Sequence, residues 1–378
     1  VSARISLFPV SPSMVFEGDG DFRHYLRTSA ALESLQETRE DLNVILSVTD
    51  LVSSESVRRI LTDSGFDVVG EQGAVWRVSL SPEVGEEIQE PFEAYLELDL
   101  KHGLVLFYTN FRRSVEIAKY LKPILRRSAR LASPVLHPSL LEEVLESLLV
   151  RYPSTQLTEF TARGTPAFSS LLSSRDELHR TFQYWGLDGA DTYQEVRAKY
   201  GVTLFRAVMD IPELATKIRV AQDGSLAFCH GDVGLFMTVL EEQVLPEVQL
   251  QHGILQRSRV EQVKVGTSDY SLPIAFPVII RLETPLQFAR VQESLEKDLE
   301  RNHFHPISYY TREGSVYVDA VLVDAENESR LRLKGSERWL KLIPSCHTHI
   351  STLLRFYQVV LDEVDPRAVL EVDSGSPA

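Results

Sequence analysis

The chain of 378 residues carries 39 Lys+Arg against 54 Asp+Glu, a formal net charge of -15, with 43% apolar and 25% charged residues. This is the composition of an ordinary globular protein of two or three domains, and it excludes collagen-like, low-complexity and wholly disordered chains. An acidic chain is not steered as a whole towards phosphate polymers, which argues against a generic nucleic-acid coat and leaves room for a local basic face.

Arg4–Val10 reads as a short strand, and Asp21 as the cap of a helix starting at Phe22. Asn43–Thr49 (NVILSVT) is a strand, followed by a helix capped at Ser53 or Ser54 and ended by Gly65. Phe66–Val69 and Ala74–Leu80 are strands joined at Glu71-Gln72-Gly73. Phe92–Leu100 and Leu104–Thr109 follow as a second pair, and a helix spans Arg112–Arg130 with a bend expected at Pro123. The order is strand, helix, four strands, helix.

The middle of the chain differs. Ser139–Tyr152 is an amphipathic helix, Gly164–Ser174 a Ser-rich loop, and Asp176–Tyr184 and Asp191–Lys199 read as helices broken at Gly186–Gly189. The Gly turn sits beside Tyr184 and Trp185, aromatics that suit a core or an interface anchor. Lys217–Ala221, Ser225–Cys229 and Asp232–Leu245 form a hairpin and a helix, a half-copy of the first segment's ending, and Gln249–Leu272 reads as a connection.

The first order then returns. Phe276–Glu283 is a strand, Pro285–Arg301 a helix capped by Thr284, His305–Thr311 with Ser315–Val323 and Ser329–Lys334 with Arg338–Ile343 are two strand pairs, and His347–Glu363 is a helix. The pattern predicts an internal duplication. The fold class expected is α/β (α+β): two strand-helix-four-strand-helix repeats with antiparallel sheets, plus a largely helical insert. The domains expected are 1–132, 133–272 and 273–364, with a disordered tail at 365–378.

Cys229 and Cys346 give no disulfide framework, no window suits a membrane span, and Val1–Val10 lacks a signal-peptide pattern, so the expected location is the cytoplasm.

This element order, over about 43–130 and 276–363, resembles the repeat of the TATA-box-binding-protein family and its structural relatives. In that family the repeats adjoin, whereas a long insert separates them here. The resemblance implies a sheet face, turned away from the helices, that holds DNA, with aromatic wedges opening base steps. Strand alternation gives its composition. In the first copy Leu96, Leu98 and Leu100 face the helices, leaving Tyr95, Glu97 and Asp99 outward; in the second Leu331 and Leu333 face in, leaving Arg330, Arg332 and Lys334 outward with Trp339 and Lys341 beside them. One half-sheet is then acidic and the other basic.

Three further constellations carry possible chemistry. Arg112, Lys119, Arg126 and Arg130 fall on one arc at helical spacing, a stripe that would hold phosphates or simply be solvated. Glu83, Asp99 and Lys101 match the acid, acid-x-Lys pattern of a metal-dependent nuclease, which needs two carboxylates for Mg²⁺ and a Lys near the attacking water. Cys346, His347 and His349, with Cys229, His230 and Asp232 as a second cluster, are zinc-ligand types without a paired Cys-x-x-Cys knuckle. No phosphate loop, nucleophile elbow or His-Glu-x-x-His is present. The leading expectation is a non-catalytic binding or scaffold protein without cofactor or resident metal, contacting nucleic acid or an acidic protein partner. The alternatives are the nuclease and a protein-facing assembly subunit.

Overall fold

In the computed structural model, which describes residues 7–18, 20–28, 32, 40–81, 91–111, 113–164, 180–264, 271–286, 299–311 and 316–372, the run Leu42–Thr49 forms strand β1 and is buried along its whole length. A strand without alternation requires cover on both faces of its sheet. That requirement organises the first of two units, Val1–Ala162, Phe182–Glu195 and Leu204–Gln249; the second is Arg163–Thr181, Val196–Thr203 and Leu250–Ala378.

After β1 come β2 (Phe66–Gln72), β3 (Val75–Leu80), β4 (Phe92–Asp99), β5 (Leu104–Thr109) and the short β6 (Leu131–Ala132). The middle segment adds β7 (Gln156–Gly164), β8 (Arg180–Trp185), β9 (Thr203–Ile211), β10 (Thr216–Ala221) and β11 (Ser225–His230). All eleven share one sheet, ordered β2-β3-β4-β5-β1-β11-β10-β9-β7-β8 with β6 beside β1. The joint is the antiparallel pairing of β1 with β11, Val44 opposite Leu226. The middle segment is therefore continuous with the N-terminal sheet and contributes five strands to it, where the sequence suggests a mostly helical insert with one hairpin. Arg180–Trp185 is a strand where a helix is expected, because alternating apolar and polar residues fit an edge strand as well as a short helix.

One face of the β2-to-β1 half packs on α2 (Ser54–Asp63), capped by Ser53 Oγ accepting from the Ser56 N–H at 3.3 Å, and on α3 (Arg113–Leu121 continuing as Lys122–Arg127). Ile45, Val57, Leu61, Phe66, Trp76, Phe92, Leu96, Leu98 and Phe107 make that core. The opposite face is covered by α1 (Asp21–Thr28) and the segment before it. Phe22 lies 5.0 Å from the Tyr108 ring and 5.7 Å from Tyr95, and Phe8 lies 5.1 Å from Tyr95. Phe16 donates its N–H to Gln72 O and accepts from the Ala74 N–H at 2.7 Å, straddling Gly73. Gly73 has φ +71°, and a Cβ there would meet Phe16 O at 2.2 Å, so the turn must be glycine for the N-terminal segment to dock. Residues 7–10 form no strand; 4–6 lie outside the described residues.

Glu97 sits beneath α1 and is 2% exposed. Its carboxylate accepts from Arg23 Nε at 3.1 Å, Tyr108 Oη at 2.6 Å and the Gly20 N–H at 3.1 Å. Burial pushes the Glu97 carboxyl up, against the pull of Arg23, Tyr108 and Gly20. Tyr95, Glu97 and Asp99 do lie on the face away from α2 and α3, opposite Tyr108, Leu106 and Leu104, but all three are buried. The expected acidic outward half-sheet is thus an interior layer.

The second unit contains β12 (Val260–Lys264) and β13 (Ser271–Ala275), a separate two-stranded sheet where a connection is expected. Its main sheet comprises β14 (Val278–Arg281), β15 (Phe304–Thr311), β16 (Tyr317–Asp324), β17 (Ser329–Ser336), β18 (Trp339–Pro344) and β19 (Val369–Val372). The order β15-β16-β17-β18-β14-β19 repeats β2-β3-β4-β5-β1 over its first five strands. The tail expected from residue 365 instead supplies β19, held to β14 by the register of Val278 with Val372; 373–378 lie outside the described residues. Of the expected helix Pro285–Arg301, residues 287–298 lie outside the described residues, and Leu299–Arg301 is helical.

Three hairpins each lead to a helix with π-helical turns near a proline: Arg113–Leu121 before Pro123, Leu240–Val244 before Pro246, and Val360–Val364 before Pro366. Proline has no N–H and its ring clashes with the carbonyl four residues back; a wider turn moves that carbonyl aside. The Leu245 N–H accordingly reaches Leu240 O and the Asp365 N–H reaches Val360 O, five residues back. The middle segment supplies helices α4 (Pro138–Arg151), α5 (Gly189–Tyr200), α6 (Val233–Val239 continuing as Leu240–Val244) and α7 (Leu245–Arg257), and among the described residues no helix is long and apolar enough to cross a membrane.

Substituting Glu97→Ala strands the Arg23 guanidinium in the interior and should cost about 3–5 kcal/mol. Urea unfolding tests this, and a midpoint equal to the wild type's would mean that α1 does not depend on the pair.

Candidate binding face on the C-terminal sheet

The β16–β18 sequences alternate strictly. Val318, Ala320, Leu322, Leu331, Leu333, Leu340 and Leu342 are buried on one face, under α8 (Ile350–Val359 continuing as Val360–Val364). The buried Asp324 carboxylate fixes α8 by accepting from Thr352 Oγ1 at 2.9 Å and pairing with Arg355. Phe304 and Phe356 meet edge to face at 5.5 Å. At the other end Asp365 accepts from the Glu283 and Thr284 N–H groups at 2.7 and 2.9 Å, tying the end of α8 to the residues that follow β14.

The opposite face carries Tyr317, Asp319, Arg330, Arg332, Lys334, Trp339, Lys341 and Ile343 at half-buried or exposed positions. The registers place Tyr310, Asp319, Lys334, Lys341, Ile279 and Glu371 in one row across the sheet. A neighbouring row holds Tyr317, Ser336, Trp339, Arg281 and Val369. Tyr310 is 60% exposed and its ring lies 6.3 Å from that of Tyr317.

Five cations on this face, Arg281, Arg330, Arg332, Lys334 and Lys341, meet two carboxylates, Asp319 and Glu371, among the described residues. Arg332 grips Asp319 in two hydrogen bonds of 2.7 and 2.6 Å, and Arg281 grips Glu371 at 2.8–2.9 Å. Each guanidinium holds its carboxyl below the usual range, so both pairs persist into mild acid. Lys334 and Lys341 stand directly opposite each other.

Arg112 and Glu83 lie outside the described residues. Lys119 is exposed with its ammonium over the Tyr120 ring at 5.3 Å, and Arg126 is exposed near the end of α3. Arg130 lies beyond the helix, which ends at Arg127, and pairs with Asp50 at 2.9 Å. The arc drawn at ordinary helical spacing does not form, because the turns before Pro123 are wider and the helix is shorter. Asp99 is 2% exposed and its carboxylate meets His102 Nδ1 at 2.8 and 2.9 Å, while Lys101 points into solvent from the following turn. Cys346 and His347 are exposed in the β18–α8 turn, and His349 is the N-cap residue of α8 rather than part of its first turn. Among the described residues no three ligand-type side chains are grouped to hold a metal.

Tyr310, Tyr317, Asp319, Arg281 and Glu371 are absent from the sequence-based candidates. Alternation alone orients Tyr317 and Asp319, but the register shift between Pro306 and Ser308 decides where Tyr310 falls. Arg281 and Glu371 meet only because β19 forms.

A family model described as a family middle domain matches residues 139–220. The chain is also similar to an uncharacterized protein of Archaeoglobus fulgidus, 23% identical over 385 residues covering 96% of this chain and 99% of that protein.

Burial, then Asp41, push the Cys229 thiol up to about 12, whereas Cys346 is exposed. At about pH 8 only about one Cys229 in ten thousand is thiolate. Native-state alkylation should therefore label Cys346 fast and Cys229 very slowly; equal rates for the two would contradict this placement.

Proposed function

We propose that the protein is a non-catalytic binding protein that holds an anionic partner on the open face of its C-terminal sheet. The observation that carries the reading is the local excess of cations, five against two carboxylates, on a chain of net charge -15. Like charges directly opposite on neighbouring strands cost stability. Lys334 and Lys341 are such a pair, with Asp319 opposite Lys334 on its other side, and an anion bound between the two ammonium groups reduces that cost. The likeness of element order to TATA-box-binding proteins points to the same face. In the first unit that face is filled by α1, so the reading is restricted to the second sheet.

A protein-facing assembly subunit is the second reading, favoured by β12–β13, a two-stranded sheet with Leu272 exposed. Isolated hairpins are marginal in water and gain from a surface to lie on.

The charge-reversed variant Lys334→Glu/Lys341→Glu separates these readings. The wild type should be retained on immobilised heparin at low salt, eluting as salt rises, and the variant should pass through. Wild-type protein that is folded yet unretained would sink the anionic reading and leave the protein-facing one.

A further inference from the structure

The face just described has a second property, the placement of its aromatic residues. Tyr317 and Trp339 stand on either side of Ser336 in one cross-strand row, and Tyr310 joins them from the next row. Strands are spaced about 4.8 Å apart, so the two aromatic positions flanking Ser336 are about 9.6 Å apart. Two stacking contacts of about 3.5–4 Å fill most of that gap, which leaves room for one planar ring above the small Ser336 floor. Lys334 and Lys341 lie two residues along the same two strands from Ser336 and Trp339, about 7 Å away. Arg330 continues the cationic line farther along β17.

On this geometry we infer that the anionic partner is single-stranded nucleic acid, its bases stacked on Tyr310, Tyr317 and Trp339 and its phosphates held by Lys334, Lys341 and Arg330. The inference rests on the anionic-partner reading above. Charge complementarity supplies the phosphates' half of the match. It does not suit a duplex equally well. Arg332 and Arg281 are engaged by Asp319 and Glu371, and even the five cations of this face taken together are few beside the about 6–10 phosphate contacts of a strongly held duplex. The aromatic rings, moreover, reach base faces in a duplex only where a step is pried open, at a cost of a few kcal/mol per step. A single strand offers an unstacked base to each ring, and sheet platforms with surface aromatics bind single strands in this way.

The test is fluorescence anisotropy in EDTA with a thymidine oligonucleotide, a duplex of equal length, and heparin as a polyanion without bases. The single strand should bind at least about tenfold more tightly than the duplex. Tyr310→Ala and Trp339→Ala should each weaken the single strand about tenfold while leaving heparin binding unchanged. Lys334→Glu/Lys341→Glu should weaken both. Tyr310 is largely exposed, so its variant keeps the test sound should Trp339→Ala fold poorly. Equal binding of single strand and duplex, or aromatic variants indistinguishable from wild type, would overturn the single-strand inference while leaving the anionic face standing. Failure of all three polyanions to bind would overturn both.

Discussion

The ion pair between Arg23 and Glu97 is the constraint on which the first unit turns. An isolated carboxylate in an apolar layer is not tolerable, so Glu97 has to be met by donors, and it collects three: a guanidinium, a phenol and a backbone N–H. The phenol comes from Tyr108 on the neighbouring β5, but the guanidinium and the backbone N–H arrive only if α1 lies across β4 and β5. Arg23 also stands 3.9 Å from Glu241, and Arg27 pairs with Glu241. One buried acid thus fixes the place of a short helix that propensity alone would not hold, since eight residues are below the length at which helices persist in water. The Phe22, Phe16 and Phe8 rings supply the apolar area, and the charges fix where that area is placed.

The second unit solves the same problem differently. Its inner face is as apolar as that of the first, with α8 locked on by Asp324, Thr352 and Arg355. Its outer face needs no lid, because the residues there are long, charged or amphipathic. Arg332 with Asp319 and Arg281 with Glu371 cover the sheet with bidentate pairs across strands and diagonals, and the aliphatic stems of Lys334 and Lys341 shield backbone. Two sheets of the same strand order, the arrangement a duplicated unit would give, thereby present opposite surfaces: one an interior, the other a platform.

Much of this was legible in the sequence. Apolar residues at every second position of β16, β17 and β18 report which face is inside, and they orient Arg330, Arg332, Lys334, Trp339 and Lys341 without a structure. The pattern fails at β4 for a physical reason. Tyr95, Glu97 and Asp99 read as outward because they are polar or amphipathic, yet alternation distinguishes only the two faces of a strand; it cannot reveal that a distant segment covers the second. The signal that was available lay in β1 and β5, whose apolar runs Val44–Leu46 and Leu104–Tyr108 do not alternate and so demand cover on both sides. Long-range meetings such as Arg281 with Glu371, 90 residues apart, leave no local trace at all.

The hairpin–helix unit explains how the two sheets come to differ in breadth. It occurs as β4-β5-α3, as β10-β11 with the helix Val233–Val239 that continues through Leu240–Val244, and as β17-β18-α8, each with π-helical turns near a proline. The middle copy has no partner strands of its own on the β11 side, and it finds them at the free edge of β1, so the first sheet grows to eleven strands. Among the described residues the corresponding edge of β14 receives only β19, four residues long and carrying Glu371. A very short edge strand with a charge on it offers little ladder for another strand to extend. Growth of the second sheet therefore stops where that of the first continues, and its exposed surface is left as a face rather than an edge, which is the geometry a platform for a flexible partner requires.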